Sequence, residues 1–258
     1  MRVARRHHGA SGGIDFSALS STQIFLLAQN ATQADGVGVD SWTETSNDRH
    51  AVQATGARQP ILRKSGAHVA PTGKWMVEFD GDNDWLSNGL PAATNIPIAA
   101  TGLTLFFYYK QISLTNSSAF DAQLLFDCGN GVTVFEFFAR SSADLGVGWP
   151  DTDIGTNNGN VRDLWGAAQT GYQLLTWEMI PPAGAGAEMK MYRNSVQIGT
   201  TQVNWQAPDI RDGYGVGNSI ALNTGFRGAV GLVQVVSEVY SAGDRAAIES
   251  SMLSFFGT

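Results

Sequence analysis

The sequence predicts an all-β fold, with two stacked antiparallel sheets followed by one short C-terminal helix. The 258 residues include 30 glycines, 43% are hydrophobic and only 15% are charged. This composition is typical of a protein with many strands and turns, whereas a helical bundle would contain more Glu, Lys and Ala. Apolar and polar residues alternate in several segments, and a helical pattern is found at the end of the chain.

A basic arm precedes the predicted domain. Residues 1–14 contain Arg2, Arg5 and Arg6 and no acidic residue, although the whole chain has a formal net charge of −7. Such an arm is either a solvated tail or a docking device, and we expect docking, with residues 15–258 forming a single domain. No apolar run of signal-peptide length follows the arginines, so we expect synthesis in a cytoplasm without the usual export.

The first half of the predicted domain contains two strands separated by polar segments. A short apolar strand is expected from Ile24 to Leu27, and the segment from Trp42 to Gln59 is expected to be irregular. The segment "KWMVEFDG" predicts a second strand that ends at Gly81, because glycine permits a tight turn at that point.

The strand pattern is stronger in the second half. The segment from Leu103 to Ile112 is rich in aromatic residues, which favour strands. In "YQLLTWEMI", Leu175, Trp177 and Met179 fall on one face of a strand, and the intervening polar residues fall on the other. Two hairpins and one long late strand complete the pattern. They are the pair 123–129 and 132–141 around "GNG", the segment 188–200 with its turn at Asn194-Ser195, and the strand region 226–240.

The final segment, "SAGDRAAIESSMLSFFGT", predicts a helix. Ser241 is a suitable N-cap, and Asp244 follows three residues later, as in a capping box. Apolar residues recur at every fourth position from Ile248 to Phe256, which places them on one face of a helix. Gly257 would then end the helix.

Several functional classes lack their sequence signatures. The single cysteine, Cys128, excludes an internal disulfide and is expected to be a small core residue. The sequence has no phosphate loop, no dinucleotide fingerprint and no nucleophile elbow. The acidic body and the lack of a membrane-length apolar run argue against nucleic-acid partners and membrane insertion, and we expect no cofactor.

Two segments resemble the opening of laminin-G-like, concanavalin A-like jelly-roll domains. They are "VDSWTETSNDRHAVQATGARQP" and "VEFDGDNDWL", and the region 226–257 is similar to the closing strand and terminal helix of the family. The resemblance covers about residues 15–258 and implies a jelly-roll sandwich. The matching residues of the two opening segments are Trp42, Arg49, His50, Ala51, Gln53, Gln59, Pro60, Phe79, Asp80, Gly81, Asp84 and Leu86.

The sequence departs from the family pattern in two turns. The segment "TSNDRHA" lacks the usual glycines, and Ser195 occupies a position where a hairpin glycine is usual. Domains of this family occur in bacterial surface proteins and in virion proteins of tailed bacteriophages. Proteins with many different functions share this fold, so the resemblance implies less about function than about structure.

The acidic stretch "VEFDGDNDWLSNG" has three interpretations, of which the first is a calcium site. Asp80, Asp82 and Asp84 match the start of an EF-hand loop. That loop needs Gly at its sixth position and Glu at its twelfth, and these positions are Trp85 and Pro91 here. An EF-hand is therefore excluded, and a structural calcium site of another kind remains as an alternative.

The second interpretation is glycoside hydrolysis, and the third is structural. Jelly-roll glucanases carry E-x-D-x-x-E on one strand, which corresponds here to Glu78, Asp80 and Asn83. An amide cannot act as the general acid, so the catalytic pair would be incomplete. In the structural interpretation the strand ends at Phe79, the aspartates accept backbone hydrogen bonds, and Trp85 packs back towards the sheet. We expect the structural interpretation to hold.

The long polar segment that follows residue 148 combines tryptophans with hydrogen-bonding side chains. Sugars stack on aromatic faces and hydrogen-bond to Asp, Asn and Arg, and long loops on a rigid β scaffold are common binding sites. An alternative is that both tryptophans are buried anchors of the loop. The candidate carbohydrate-binding residues are Trp149, Asp151, Asn157, Asn158, Arg162 and Trp165.

The sequence thus predicts two main functions. The first is a non-enzymatic virion structural protein of a tailed phage, a capsid decoration or appendage component. Its arm would contact other virion proteins and further copies of the chain in a homo-oligomer. The second is a carbohydrate-binding module or host-adhesion lectin that binds a cell-surface glycan. A degenerate glycoside hydrolase is the third alternative.

Overall fold

The computed structural model describes most of the chain from residue 15 onward. The described residues are 15–47, 49–88, 102–113, 122–128, 135–140, 145–148, 170–181, 187–205, 213–217 and 225–258. The arm with Arg2, Arg5 and Arg6 therefore lies outside the described residues.

The described residues form two antiparallel sheets and one α-helix, which confirms the predicted all-β sandwich. The elements in chain order are β1 (Thr22–Leu27), β2 (Ser41–Trp42), β3 (Ala51–Val52), β4 (Ile61–Arg63), β5 (Met76–Asp80), β6 (Leu86–Ser87), β7 (Leu103–Gln111), β8 (Ala122–Cys128), β9 (Phe135–Arg140), β10 (Leu145–Gly148), β11 (Gly171–Ile180), β12 (Ala187–Arg193), β13 (Val196–Trp205), β14 (Tyr214–Val216), β15 (Arg227–Val236) and α1 (Ala242–Phe256).

The larger sheet has the order β13-β12-β11-β7-β15-β5-β4, and β1 also pairs with β15. The smaller sheet has the order β10-β9-β8-β14-β6-β3-β2. One edge of β15 pairs with β7, and the other edge is shared between two strands. β5 pairs with the first half, Arg227–Val230, and β1 pairs with the second half, Leu232–Val236. A register shift at Gly231 separates the two halves.

Both faces of the larger sheet are buried. On β7, Phe107 and Tyr109 point into the core between the two sheets, whereas Phe106 and Tyr108 belong to a second core on the outer face. The inter-sheet core also contains Trp177, which is 1% exposed. Because both faces are apolar, this sheet needs a cover on the side away from the smaller sheet.

Helix α1 provides most of that cover. Its predicted N-cap is confirmed, because the Ser241 Oγ accepts a hydrogen bond from the Asp244 backbone N–H at 3.1 Å. The predicted apolar face packs on the sheet, where Phe256 stacks on Tyr108 with ring centroids 4.2 Å apart. Gly257 ends the helix with φ = +83°. Burial of this face stabilises the helix more than its intrinsic propensity does.

Two further segments extend the cover near the C-terminal end of the helix. Phe16 makes an edge-on contact with Phe255, and the Phe16 carbonyl accepts a hydrogen bond from Gln234 Nε2 at 2.8 Å. The loop 64–75, named here the covering loop, is joined to the last residue of the helix. The backbone N–H of Thr72 donates to the Phe256 carbonyl at 3.1 Å.

A buried polar cluster anchors the helix to β11 and β12. The Arg245 guanidinium lies 3.4 Å from Glu178 Oε2, 3.5 Å from Glu249 Oε1 and 3.4 Å from the centroid of the Tyr192 ring. All four residues are buried. Burial raises the pKa of Glu178, and the nearby Arg245 opposes that shift. The polar face of β11, which carries Thr176 and Glu178, is therefore buried on the side of the helix.

The strand pairings of the two predicted hairpins are confirmed, and the turn "GNG" of the first one lies outside the described residues. β8 pairs with β9, and β12 pairs with β13 through the turn at Asn194-Ser195. Both turn residues have positive φ, 47° at Asn194 and 69° at Ser195. That combination is the one required by a tight two-residue hairpin turn, so Ser195 adopts the backbone conformation that glycine usually supplies.

The segment from Trp42 to Gln59 is a correction. We expected it to be irregular, but it contributes β3 and the end of β2 to the smaller sheet. Trp42 is fully buried, and its Nε1 donates to the Leu27 carbonyl at 2.8 Å. Strands of two residues are too short to produce an alternating pattern in the sequence.

We predict that the replacement Gly231→Ala destabilises the protein by about 1–3 kcal/mol, a typical cost of overpacking. A methyl group at this position would lie 2.9 Å from Phe256 Cε1 and 3.1 Å from Tyr108 Cδ1, so the two stacked rings would have to move. Urea unfolding would measure the change. Gly56→Ala is the matched control, because no atom lies within 4 Å of its added methyl group. Equal stability of the two variants would contradict this account of the helix cover.

Candidate functional site

The acidic stretch forms a turn held by its own carboxylates. Asp80 Oδ1 accepts backbone N–H bonds from Asp82 at 2.8 Å, Asn83 at 3.1 Å and Asp84 at 3.3 Å. In return, Asp84 Oδ2 accepts the backbone N–H of Asp80 at 3.0 Å. Gly81 has φ = +84°, which the turn requires. This is the arrangement expected from the structural interpretation, and Trp85 is half-buried behind it.

Neither a three-carboxylate metal cluster nor the E-x-D-x-x-E arrangement on one strand is found in the described part of this turn. No group of three or more His, Cys, Asp or Glu side chains in this part of the chain is arranged to hold a metal ion, so Asp80, Asp82 and Asp84 do not form such a group. β5 ends at Asp80, and Asn83 lies in the turn. The three positions that matched the glucanase pattern therefore do not share one strand.

Burial changes the ionisation of the turn. The pKa of Asp84 is raised to about 7, mainly by burial and further by the negative charge of Asp80, while the backbone N–H of Asp80 opposes the shift. Asp84 is 7% exposed. At neutral pH this carboxyl is thus close to its midpoint of titration, and the folded protein holds a proton that the unfolded chain would release.

The remaining acid of the stretch, Glu78, faces the covering loop. Its Oε2 makes a close ion pair with Arg63 Nε, and its Oε1 lies 3.8 Å from His68 Nε2. The Glu78 side chain is 20% exposed. Both carboxylate oxygens of Glu78 thus face side chains of β4 and of the covering loop.

The covering loop is fixed by hydrogen bonds from the sheet beneath it. Lys110 Nζ, on β7, donates to the Ala67 carbonyl at 2.7 Å. The Tyr172 hydroxyl, on β11, donates to the Val69 carbonyl at 2.5 Å. These contacts bring the loop to the end of the larger sheet where β7 finishes and β11 begins.

Lysine–aromatic pairs surround this loop. Lys64 Nζ lies 3.9 Å from the centroid of the Trp75 ring, and Lys74 Nζ lies 4.3 Å from that of Phe255. Lys110 Nζ lies 4.8 Å from the centroid of the Tyr172 ring. The sequence has four lysines, and three of them are in these pairs.

Sequence reasoning missed these lysines. Lys64 and Lys74 lie near the two ends of one loop, and that spacing was a usable signal. Lys110 and Tyr172 are far away in sequence, and only the pairing of β7 with β11 brings them to the loop. A sequence pattern alone could not have found that pair.

The predicted carbohydrate-binding residues lie outside the described residues. These are Trp149, Asp151, Asn157, Asn158, Arg162 and Trp165. The strands on either side of their segment are described: β10 is an edge strand of the smaller sheet, and β11 is an inner strand of the larger one. The segment therefore connects the two sheets, and it rejoins the larger sheet at Gly171, immediately before Tyr172.

His50 and Cys128, which the sequence also singled out, lie in described elements of the chain. His50 Nδ1 accepts the backbone N–H of Glu44 at 3.0 Å, and the buried carboxylate of Glu44 accepts the Phe25 N–H at 2.9 Å. Cys128 lies on β8 opposite Tyr214 and Phe135. Among the described residues, no helix combines the length and apolar character needed to cross a membrane.

Solved structures with a similar fold include a sialidase and a toxin binding domain. A Trypanosoma rangeli sialidase in complex with sialic acid matches with a TM-score of 0.58 at 12% identity, over 91% of this chain and 33% of the sialidase chain. The botulinum neurotoxin serotype D binding domain matches with a TM-score of 0.55 at 14% identity, over 90% of this chain and 51% of that chain. At such identities the similarity concerns the fold alone.

The chain spans about a third of the sialidase and about half of the toxin domain. No family model and no curated protein sequence matches the chain. The similarity supports the β-sandwich fold that the resemblance in the sequence implies, and it gives no support to the phage virion context.

The pH dependence of stability should report on Asp84. The pKa of Asp84 is higher in the folded protein than in the unfolded chain. The contribution of Asp84 to the free energy of unfolding is therefore most favourable below about pH 4 and is lost as the pH rises through 7. We predict that Asp84→Asn stabilises the protein by about 2–4 kcal/mol at pH 8 and has little effect at pH 4. The amide oxygen can still accept the Asp80 N–H.

Urea unfolding at both pH values would measure the difference. Asp82→Asn is the matched control, because Asp82 is an exposed carboxylate of the same turn. A stabilisation by Asp84→Asn that is equal at pH 4 and pH 8, or matched by Asp82→Asn, would show that titration of Asp84 is not the cause.

Proposed function

We propose that the chain is a non-enzymatic carbohydrate-binding module that acts as a lectin for a cell-surface glycan. The observation that carries the proposal lies at the start of β11. The segment with all the candidate carbohydrate-binding residues rejoins the larger sheet at Gly171, next to Tyr172. The Tyr172 ring packs near the Lys110 ammonium, which is 4.8 Å from its centroid.

Aromatic rings and hydrogen-bonding groups at the end of a rigid sheet suit sugar recognition. The apolar face of a sugar ring stacks on an aromatic side chain, and its hydroxyl groups pair with amide, carboxylate and cationic groups. Trp149 and Trp165 supply rings in the connecting segment, and Asp151, Asn157 and Asn158 supply polar groups. The described sheets offer a scaffold of buried aromatic residues on which such a segment would be held.

The fold comparison supports the same proposal. One similar structure is a sialidase in complex with sialic acid, and the other is named as a toxin binding domain. A lectin role does not require the sialidase's activity. The pairing of Glu78 with Arg63, and the position of Asn83 in a turn, support a chain without glycosidase chemistry.

We predict that Trp149→Ala and Trp165→Ala each reduce glycan binding at least tenfold while folding is retained, because each removes a stacking surface. A glycan array followed by calorimetry on the captured glycan would measure the loss. Val196→Ala is a suitable control, since Val196 is an exposed apolar residue on the β12–β13 hairpin. The captured glycan should also remain intact on incubation with the protein. Wild-type binding by both tryptophan variants would remove the basis for this site.

A virion structural role is the second candidate, and it rests on the family resemblance and on the basic arm. The two roles are compatible, because a virion component can also hold a host glycan. In this proposal Arg2, Arg5 and Arg6 dock against other virion proteins or other copies of the chain. The protein would then reside in the virion after synthesis in the host cytoplasm.

Deletion of residues 1–14 tests the virion role. We predict that the full chain forms a defined oligomer or binds capsids, and that the shortened chain is a folded monomer that does not bind them. Mass photometry would measure the assembly state, and cryo-electron microscopy would show the binding to capsids. Identical monomers before and after deletion would show that the arm is only a tail.

A further inference from the structure

We propose that the covering loop and the three lysines around it form a binding surface for an anionic saccharide, one that carries carboxylate groups. The inference rests on the proposed lectin function and narrows its ligand class. It uses described residues only, namely the covering loop 64–75, Lys110 and Tyr172 on the adjoining strands, and Phe255 at the end of α1.

Lysine is unevenly distributed in the structure. The chain is acidic, with a formal net charge of −7 and only four lysines. Lys64 and Lys74 belong to the covering loop, and Lys110 donates to the carbonyl of Ala67 in the same loop at 2.7 Å. Only Lys190 lies elsewhere, on β12. Three of the four lysines are thus concentrated at one loop.

The ammonium groups of these three lysines share an aromatic environment. Each of the three packs against an aromatic ring, at 3.9 Å from the Trp75 centroid, 4.3 Å from that of Phe255 and 4.8 Å from that of Tyr172. A ring beneath the lysine stem restricts its motion without neutralising its charge. An ammonium has three N–H donors, and the bond from Lys110 to Ala67 uses one of them.

Lys190 provides the contrast. Its Nζ lies 3.2 Å from Glu188 Oε2, so this lysine has a carboxylate partner. Within the described residues, no carboxylate lies within ion-pair distance of Lys64, Lys74 or Lys110. Two acids beside the loop, Glu78 and Asp35, have other partners. Glu78 pairs with Arg63, and Asp35 accepts the backbone N–H of Lys64 at 2.8 Å and the Ser65 hydroxyl at 2.5 Å.

The aromatic rings beside the lysines favour a saccharide over other anionic ligands. The lysines are interleaved with half-buried rings of Trp75, Tyr172 and Phe255. A sugar acid presents both a carboxylate for an ammonium group and a C–H face for an aromatic ring. Tyr172 also directly follows Gly171, the first residue of the strand that comes after the tryptophan-containing segment in the chain.

Paired ligands that differ in charge would test the proposal on the full chain. The probes are sialyllactose against lactose, and an oligogalacturonate against its methyl ester. We expect the anionic member of at least one pair to bind at least tenfold more tightly than its neutral counterpart, with an advantage that shrinks as salt is raised. Lys64→Gln, Lys74→Gln and Lys110→Gln are expected to weaken that binding about tenfold each, because each removes a charged donor.

Lys190→Gln is the matched control, since it removes the same charge from the same chain and should leave binding unchanged. Glutamine keeps much of the stem on the ring, and urea unfolding would verify that each variant is folded. Equal binding of neutral and anionic members would overturn the proposal and leave the lectin function standing. An equal loss in Lys190→Gln would also overturn it, because bulk charge would then explain the effect. Failure of the wild-type chain to capture any glycan would overturn both.

Discussion

The apolar character of both faces of the larger sheet is the constraint on which the rest of the structure depends. β7 alone places Phe106 and Tyr108 on one face and Phe107 and Tyr109 on the other, and all four are buried. The smaller sheet can cover only one of these faces. Without a second cover, the outer face would expose an apolar area too large for a soluble domain. The helix, the covering loop and the segment around Phe16 are therefore required by the composition of β7.

The same constraint explains why charged residues are buried under the helix. Arg245 faces two carboxylates, Glu178 and Glu249, in a space from which water is largely removed. Buried ion pairs of this kind contribute little net stability, but they penalise alternative positions of the helix in which one partner is left unpaired. The apolar contacts of Phe256 supply affinity between helix and sheet, and the cluster restricts the register of that contact.

Much of the fold could be predicted from the sequence, because its signals are local. The Ser241 cap, the alternation from Leu175 to Met179 and the turn at Asn194 each depend on a few neighbouring residues. The short strands at Trp42 and Ala51 could not be predicted, since they are held by pairing with distant strands. The acidic turn could be interpreted correctly, because Trp85 and Pro91 at the sixth and twelfth loop positions exclude an EF-hand. Short-range backbone hydrogen bonds to the Asp80 carboxylate were then the expected arrangement.

The candidate site was only partly accessible to sequence reasoning. Tryptophan and amide content identified the segment 149–165, whose residues stay a prediction. The lysine surface depends on the pairing of β7 with β11 and on the path of the loop above them. Neither is encoded in a contiguous motif. A site built from strand ends and a loop requires the tertiary structure before its members can be grouped.

The position of β15 has a consequence for the biosynthesis of the domain. This late strand pairs with β1, β5 and β7, so it joins the earliest described strand to the middle of the larger sheet. Until residues 227–236 have left the ribosome, β7 and β5 lack the neighbour that joins them. Pairings of such long sequence separation form slowly. A nascent chain without β15 would thus leave one edge of β7 and one edge of β5 open to pairing with other chains.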